Sequence, residues 1–313
     1  MRLQPKTVPG IMLAVVIALI PGTLLHAWQF GSVVWLQTAW CVLFALLVEA
    51  VCLRVRGQSL SHGLGDMSWL LCGCLMSRAL PLLVPAWLML LATVVALGVV
   101  KHGSGGLGKN CLNPVMAGLG VVAICFFQFL YPAPNFHSPW SAHLDFSAVL
   151  QQQLQIVPPL QLDALSSATP LATELLDAPA PYLSWAGYLA GGLILGLLRV
   201  SRLEIPLAMM GSSVLLCMLA GHTLPESLHS LTLGGYLFAA FFIATDPVTS
   251  PDCQLGRIFF GVLIGMVTEL VREFGLYADG LCFAVLVANL MVPQLNQWAR
   301  YLNPPGRGWQ SPS

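Results

Sequence analysis

Residues 11–30 read IMLAVVIALIPGTLLHAWQF and residues 33–53 read VVWLQTAWCVLFALLVEAVCL, with Glu49 the only charged side chain in either run. Each run has the length of about 20 apolar residues that carries a helix across the hydrocarbon core of a bilayer. A helix that is apolar on every side must be buried or solvated by lipid. The rest of the chain agrees with a membrane setting: of its 313 residues 57% are hydrophobic and 8% charged, against about 25% charged in soluble domains. With 13 basic and 13 acidic residues, no excess of positive charge is available to bind nucleic acid by displacing counterions.

Further apolar stretches follow at Ser68–Val84, Trp87–Val100 and Val115–Tyr131, then at Tyr182–Leu198, Ile205–Gly221, Leu231–Ala244, Ile258–Val271 and Leu281–Val292. The pattern is five stretches, a gap and five more. Several are short or contain Gly and Pro, which marks helices that break or re-enter where protein, not lipid, surrounds them. Arg2 and Lys6 before the first run resemble the head of a signal peptide. No small-x-small cleavage site follows, however, and the run continues past Pro21-Gly22 to Trp28, so a retained first helix with a cytoplasmic N-terminus is expected.

Loop charges test this ten-span order, because short cytoplasmic loops collect Lys and Arg. Eleven of the basic residues (Arg2, Lys6, Arg54, Arg56, Lys101, Lys109, Arg199, Arg202, Arg257, Arg300 and Arg307) fall on the N-terminal side of the membrane, and Arg78 and Arg272 fall on the other. Residues 132–181 contain Asp145, Asp163, Glu174 and Asp177 but no Lys or Arg, which assigns this loop to the outer face, the periplasm of a bacterium. The expected fold is therefore an all-α polytopic membrane protein of about ten transmembrane helices. Its segments are a first five-helix unit (1–131), an outer loop (132–181), a second five-helix unit (182–298) and a cytoplasmic tail (299–313).

Five helices followed by five of opposite orientation raise an inverted repeat, a plan that places a site near the midplane where helices are interrupted. Ser77-Arg78-Ala79-Leu80-Pro81 echoes Thr245-Asp246-Pro247, and the Gly-containing approaches to the fifth and tenth stretches echo each other. Gly103, Gly105 and Gly108 satisfy G-x-G-x-x-G, and Gly103 to Lys109 nearly forms a Walker loop. Both motifs need a preceding strand, and Asn110 stands where a Ser or Thr would hold magnesium, so this is read as close backbone packing. Asn110 and Asn113 either cap the next helix or hold a polar ligand. Asp246 either forms an interfacial turn or marks a pathway, since carboxylates at membrane depth usually have a partner or a function. Local pairing explains Glu49 through Arg54 and Glu269 through Arg272, with an ion relay as the alternative for both. Asp66 suits the N-terminus of the third helix. Metal binding has no support: the cysteines lie mostly in apolar stretches, Cys72-x-Cys74 is too tight, and the seven His residues form no H-x-x-x-H pair.

The outer loop contains Asp163-Ala164-Leu165-Ser166-Ser167-Ala168-Thr169-Pro170, by local chemistry a polar turn with a hydroxyl that is usually solvated or bonded to nearby backbone. The run Asp163, Ser166, Ala168, Thr169 resembles the D-x-x-[ST]-G-A-T sequence to which a flavin transferase attaches FMN through a phosphoester on the last Thr. With Gly105-Gly106-Leu107-Gly108-Lys109-Asn110-Cys111-Leu112-Asn113-Pro114, Phe242-Ile243-Ala244-Thr245-Asp246-Pro247-Val248-Thr249 and residues 280–289, the chain resembles the RnfD/NqrB family over nearly its whole length. Its length and short N-terminus are closer to the RnfD branch. Ser167 replaces a frequent Gly, and Cys111-Leu112 replaces a common aromatic.

The resemblance implies two inverted five-helix repeats of the urea-transporter kind and a bacterial inner-membrane location. It also implies a subunit, not active alone, of an Rnf-type ion-translocating oxidoreductase that passes electrons between ferredoxin and NAD while moving Na+ or H+. Covalent FMN on Thr169 would face the periplasm, and a non-covalent riboflavin is expected near Asn110, Asn113 and Asp246. Implied partners are the Rnf A, B, C and E subunits, the FMN-bearing G subunit and the flavin transferase. The competing reading is a channel or transporter for a small polar solute on the same inverted-repeat fold, which has no use for an outward flavin-bearing Thr.

Overall fold

The computed structural model describes residues 7–82, 84–126, 129, 146–154, 183–274 and 280–302. Helix α1 (Val8–Phe30) is started by Thr7, whose side chain accepts from the Gly10 N–H, and stopped by Gly31 at φ 83°. Then come α2 (Val33–Val55), the short α3 (Leu60–Leu64), α4 (Ser68–Ala79) and α5 (Ala86–Thr93), which continues as a π-helical stretch over Val94–His102. They are followed by α6 (Pro114–Cys125), α7 (Phe146–Gln153), α8 (Leu183–Leu197), α9 (Glu204–Leu219) and α10 (Leu224–Ser230). Helix α11 (Tyr236–Phe238) runs into a second π stretch at Ala239–Ile243, and α12 (Gln254–Phe274) and α13 (Leu281–Leu302) complete the described chain. No strand occurs among the described residues.

Helices α1, α2, α12 and α13 are long and apolar enough to cross a membrane. The remaining stretches form shorter helices, and three helix boundaries in the chain differ from expectation for identifiable reasons. The third stops at Ala79, ahead of Leu80-Pro81, and its freed carbonyls at Ser77 and Leu80 accept from Gln37 Nε2 of α2 at 3.0 and 2.8 Å. The eighth is expected from Leu231, but helix begins only at Tyr236, because Gly234 takes φ 61° and the chain turns there. The last continues ten residues beyond Val292 through Pro293. Proline removes one N–H from the ladder, and the remaining turns carry the helix on to Leu302.

Two helix pairs pack at very short range. Gly191 of α8 lies against the Ala18 carbonyl of α1, and Gly265 of α12 lies against the Met209 carbonyl and Ser212 of α9. Small residues allow such approach, and in lipid that contact is a main source of helix association. Tyr236, Phe241 and Phe260 fill the interior, with Tyr236 Oη donating to Met209 O at 2.9 Å and also paired with Ser213 Oγ. On the outside, Trp28, Val55, Leu197, Leu219 and Phe274 are exposed. Apolar helices so little covered by protein need a lipid solvent.

Gly191→Val is expected to force α1 and α8 apart, at an overpacking cost of about 1–3 kcal/mol or more, and to lower the melting temperature in detergent by several degrees. Gly211→Ala places its methyl in open space and should leave that temperature nearly unchanged. Equal melting temperatures for both variants would contradict the α1–α8 packing.

Candidate functional site

The two π stretches end in the two polar interruptions of the sequence. Their wide turns are visible in the bonds Gly103 N–H to Gly98 O (3.0 Å) and Ala244 N–H to Ala239 O (2.8 Å), each spanning five residues. Such turns recur at functional sites. After the first, the chain loops through Gly105, Gly106 and Gly108 at φ 105°, 111° and 82°. Arg56 clamps the loop, donating to His102 O and Gly105 O at 3.3 and 3.0 Å. A helical segment, not a strand, precedes the glycines, so they serve a tight backbone turn and not a nucleotide.

Asn113 closes this loop and caps α6, its Oδ1 accepting from the Met116 N–H at 3.2 Å. Its Nδ2 donates to Asp246 Oδ2 at 3.4 Å, across 133 residues of sequence. Asp246 Oδ1 accepts from the Val248 N–H at 3.0 Å, and Oδ2 also accepts from Thr249 Oγ1 at 3.3 Å. Asp246 therefore shapes its own turn and also meets the other interruption. Asn289 of α13 ties the breaks together: its Oδ1 accepts from the Asn113 N–H at 2.8 Å, and its Nδ2 donates to Thr249 O at 3.1 Å. Asn110 Nδ2 donates to Leu112 O at 2.9 Å.

Asn110, Asn113 and Asp246 line a cavity of about 130 Å³ between the breaks. Leu71, Leu97, Phe241 and Phe242 supply apolar wall, and Ser68 and Lys101 supply further polar atoms. The three residues singled out as a second site thus converge, while Asp163, Ser166, Ala168 and Thr169 lie outside the described residues.

Sequence reasoning misses Lys101 as a site residue. Its Nζ donates to Glu49 Oε1 at 2.7 Å and to Ser68 Oγ at 2.6 Å, and all three residues are buried. Glu49 therefore does not take its charge partner from Arg54, as expected, but from a helix 52 positions later. Arg54 follows Glu49 by five residues, roughly 140° around the helix, and is exposed while Glu49 faces inward. The available signal is a lysine directly continuing the apolar stretch that ends at Val100. Glu269 does pair with Arg272, at 3.2 Å, and Arg272 also donates to Ser230 O and sits 5.2 Å from the Tyr236 ring centre. Asp66 occupies the N-terminus of α4 as expected, accepting from the Ser68 N–H at 2.9 Å.

Apolar helices around a buried carboxylate, paired amides and an ammonium at two helix interruptions define a polytopic membrane protein with an internal polar site. The model of the NQR2, RnfD, RnfE family matches residues 3–303, and the chain belongs to that family. It is similar to proteins named as the D subunit of an ion-translocating oxidoreductase complex. That of Yersinia enterocolitica is 34% identical over 328 residues, covering 94% of this chain and 93% of the relative. That of Erwinia tasmaniensis is 35% identical over 333 residues, covering 94% and 93%. That of Escherichia coli K12 is 34% identical over 325 residues, covering 93% and 92%.

Asn289→Ala would leave the Asn113 N–H and the Thr249 carbonyl unpaired, each costing about 1–3 kcal/mol. The melting temperature in detergent should fall by several degrees, whereas Val287→Ala, at an exposed position on the same helix, should barely change it. Equal stability of the two variants would contradict the bridge.

Proposed function

We propose that this chain is the membrane flavin subunit of an Rnf-type ion-translocating oxidoreductase, passing electrons as the complex couples ferredoxin and NAD chemistry to movement of Na+ or H+. The observation that carries this reading is the acceptor-like run ending at Thr169 in a chain whose relatives are named as the D subunit of an ion-translocating oxidoreductase complex. FMN would be held by a phosphoester to the Thr169 hydroxyl, with Asp163, Ser166 and Ala168 forming the sequence that the flavin transferase reads. The A, B, C, E and G subunits are the proposed partners, and the chain alone has no complete reaction.

The ten-span arrangement of two inverted repeats belongs to the same proposal, with both termini cytoplasmic and residues 132–181 periplasmic at the bacterial inner membrane. The packing supports it. Helix α1 pairs with α8 and α6 with α13, the first and last members of each five. Likewise α2 packs on α4 and α5, as α9 packs on α12 and on the π stretch after α11.

The cavity between the breaks fits one end of a non-covalent flavin such as riboflavin. About 130 Å³ is close to the volume that takes a single aromatic ring, and the polar groups present match a ring edge of carbonyls and N–H groups. Asn110, Asn113 and Lys101 offer donors, Asp246 offers an acceptor, and Phe241 and Phe242 offer flat apolar surface. A flavin bound there supplies one- and two-electron chemistry, while the protein's groups bind it, orient it and set the charge around it.

Membranes containing this chain, co-expressed with a flavin transferase, should give a flavin-fluorescent band on a denaturing gel. Thr169→Ala should abolish that band without changing the amount of protein. An unlabelled wild-type band under these conditions would contradict the electron-carrier reading and favour solute transport on the same fold.

A further inference from the structure

Lys101 links the cavity to a hydrogen-bonded chain that reaches the protein surface. An ammonium has three donors. Glu49 Oε1 and Ser68 Oγ take two of them, and among the described residues no protein acceptor takes the third. Lys101 and Ser68 both line the cavity. Beyond Lys101, Ser68 Oγ donates to Asp66 Oδ1 at 2.7 Å, and the Asp66 side chain, buried only in part, is 24% exposed. On the other side Glu49 Oε1 lies 3.0 Å from His102 Nε2 without a hydrogen bond between them, and the His102 side chain is only 7% exposed and sits against Arg56. Other titratable groups facing Lys101 are Cys52 of α2, Cys72 of α4 and, elsewhere on the cavity wall, Asp246.

We propose that Asp66, Ser68 and Lys101 form a proton route from the protein surface to the cavity, holding a proton at Lys101 Nζ for delivery to a redox ring that would sit there. The inference rests on the proposed occupancy of the cavity by such a ring. The electron for that ring comes from a one-electron carrier of the assembled complex. Lys101 Nζ gives an N–H proton to an acceptor atom in the cavity, the Ser68 hydroxyl turns to give its proton to Nζ, and Ser68 Oγ takes in return a proton that the Asp66 carboxylate has first accepted from a hydronium ion at the surface. Asp66 is then again the carboxylate that accepts from Ser68. Each group ends as it began, and one proton has moved inward for each one delivered. Glu49 is the positioning residue: its carboxylate holds the ammonium at the hand-over point, and its Oε2 is buried without a hydrogen-bond partner.

The test uses the assembled complex, reduced by rapid mixing in the presence of a pH-indicator dye, with extractable flavin measured on the same preparations. Ser68→Ala and Asp66→Asn keep the Glu49–Lys101 pair and should keep the wild-type content of extractable flavin. Proton uptake should slow by about tenfold or more and show a larger solvent deuterium effect, while Ser68→Thr restores it. The time-resolved infrared difference spectrum after reduction should contain a transient carboxyl band that Asp66→Asn removes, a change that loss of packing would not produce. Wild-type proton uptake in Ser68→Ala with its flavin bound would overturn the route alone. A wild-type complex without extractable flavin would overturn both the route and the cavity reading beneath it.

Discussion

A helix broken inside a bilayer must satisfy its freed backbone groups from within the protein, because no water is available to do so. The structure meets this requirement with the side-chain amide of Asn289, which joins the Asn113 N–H to the Thr249 carbonyl. One residue on α13 thereby fixes two interruptions belonging to opposite halves of the sequence. The Asn113 side chain, free of that attachment, caps α6 and reaches Asp246. The Asn113–Asp246 hydrogen bond joins the same two interruptions a second time.

Around this bridge the polar groups on the cavity wall divide by role. Asp246 and the two Asn residues set the shape of the breaks themselves. The Lys101–Glu49 pair brings a full charge to the wall from helices on the other side. Desolvating such a pair offsets much of its attraction, so stability alone gives little reason to keep it there. Under the proposed occupancy, a cavity that accommodates charge as a bound ring changes redox state would give a stronger one.

Much of the fold is legible in the sequence because apolar runs translate directly into membrane helices. Val33 begins α2 as expected, and Ile11–Phe30 differs from α1 only by three residues at its start. The grouping of Asn110, Asn113 and Asp246 follows from the family resemblance, because the residues by themselves leave open whether they cap helices, form a turn or hold a ligand. Three features are not legible in the sequence. The partner of Glu49 depends on which face of α2 turns inward, a rotation that apolarity on all sides leaves undetermined. The start of α11 depends on a positive φ at Gly234, and the persistence of α13 past Pro293 depends on surroundings that tolerate one missing bond. The wide turns before both breaks leave no mark in composition.

The central claim is that the two bridged breaks build a site for a flat redox ring. The most direct measurement is a high-resolution electron cryomicroscopy map of the assembled complex, inspected between Asn113, Asp246 and Lys101. The account predicts planar density with one edge within hydrogen-bonding distance of those three side chains and a face against Phe241 or Phe242. Acyl-chain density in that space, or side chains collapsed to fill it, would contradict the account.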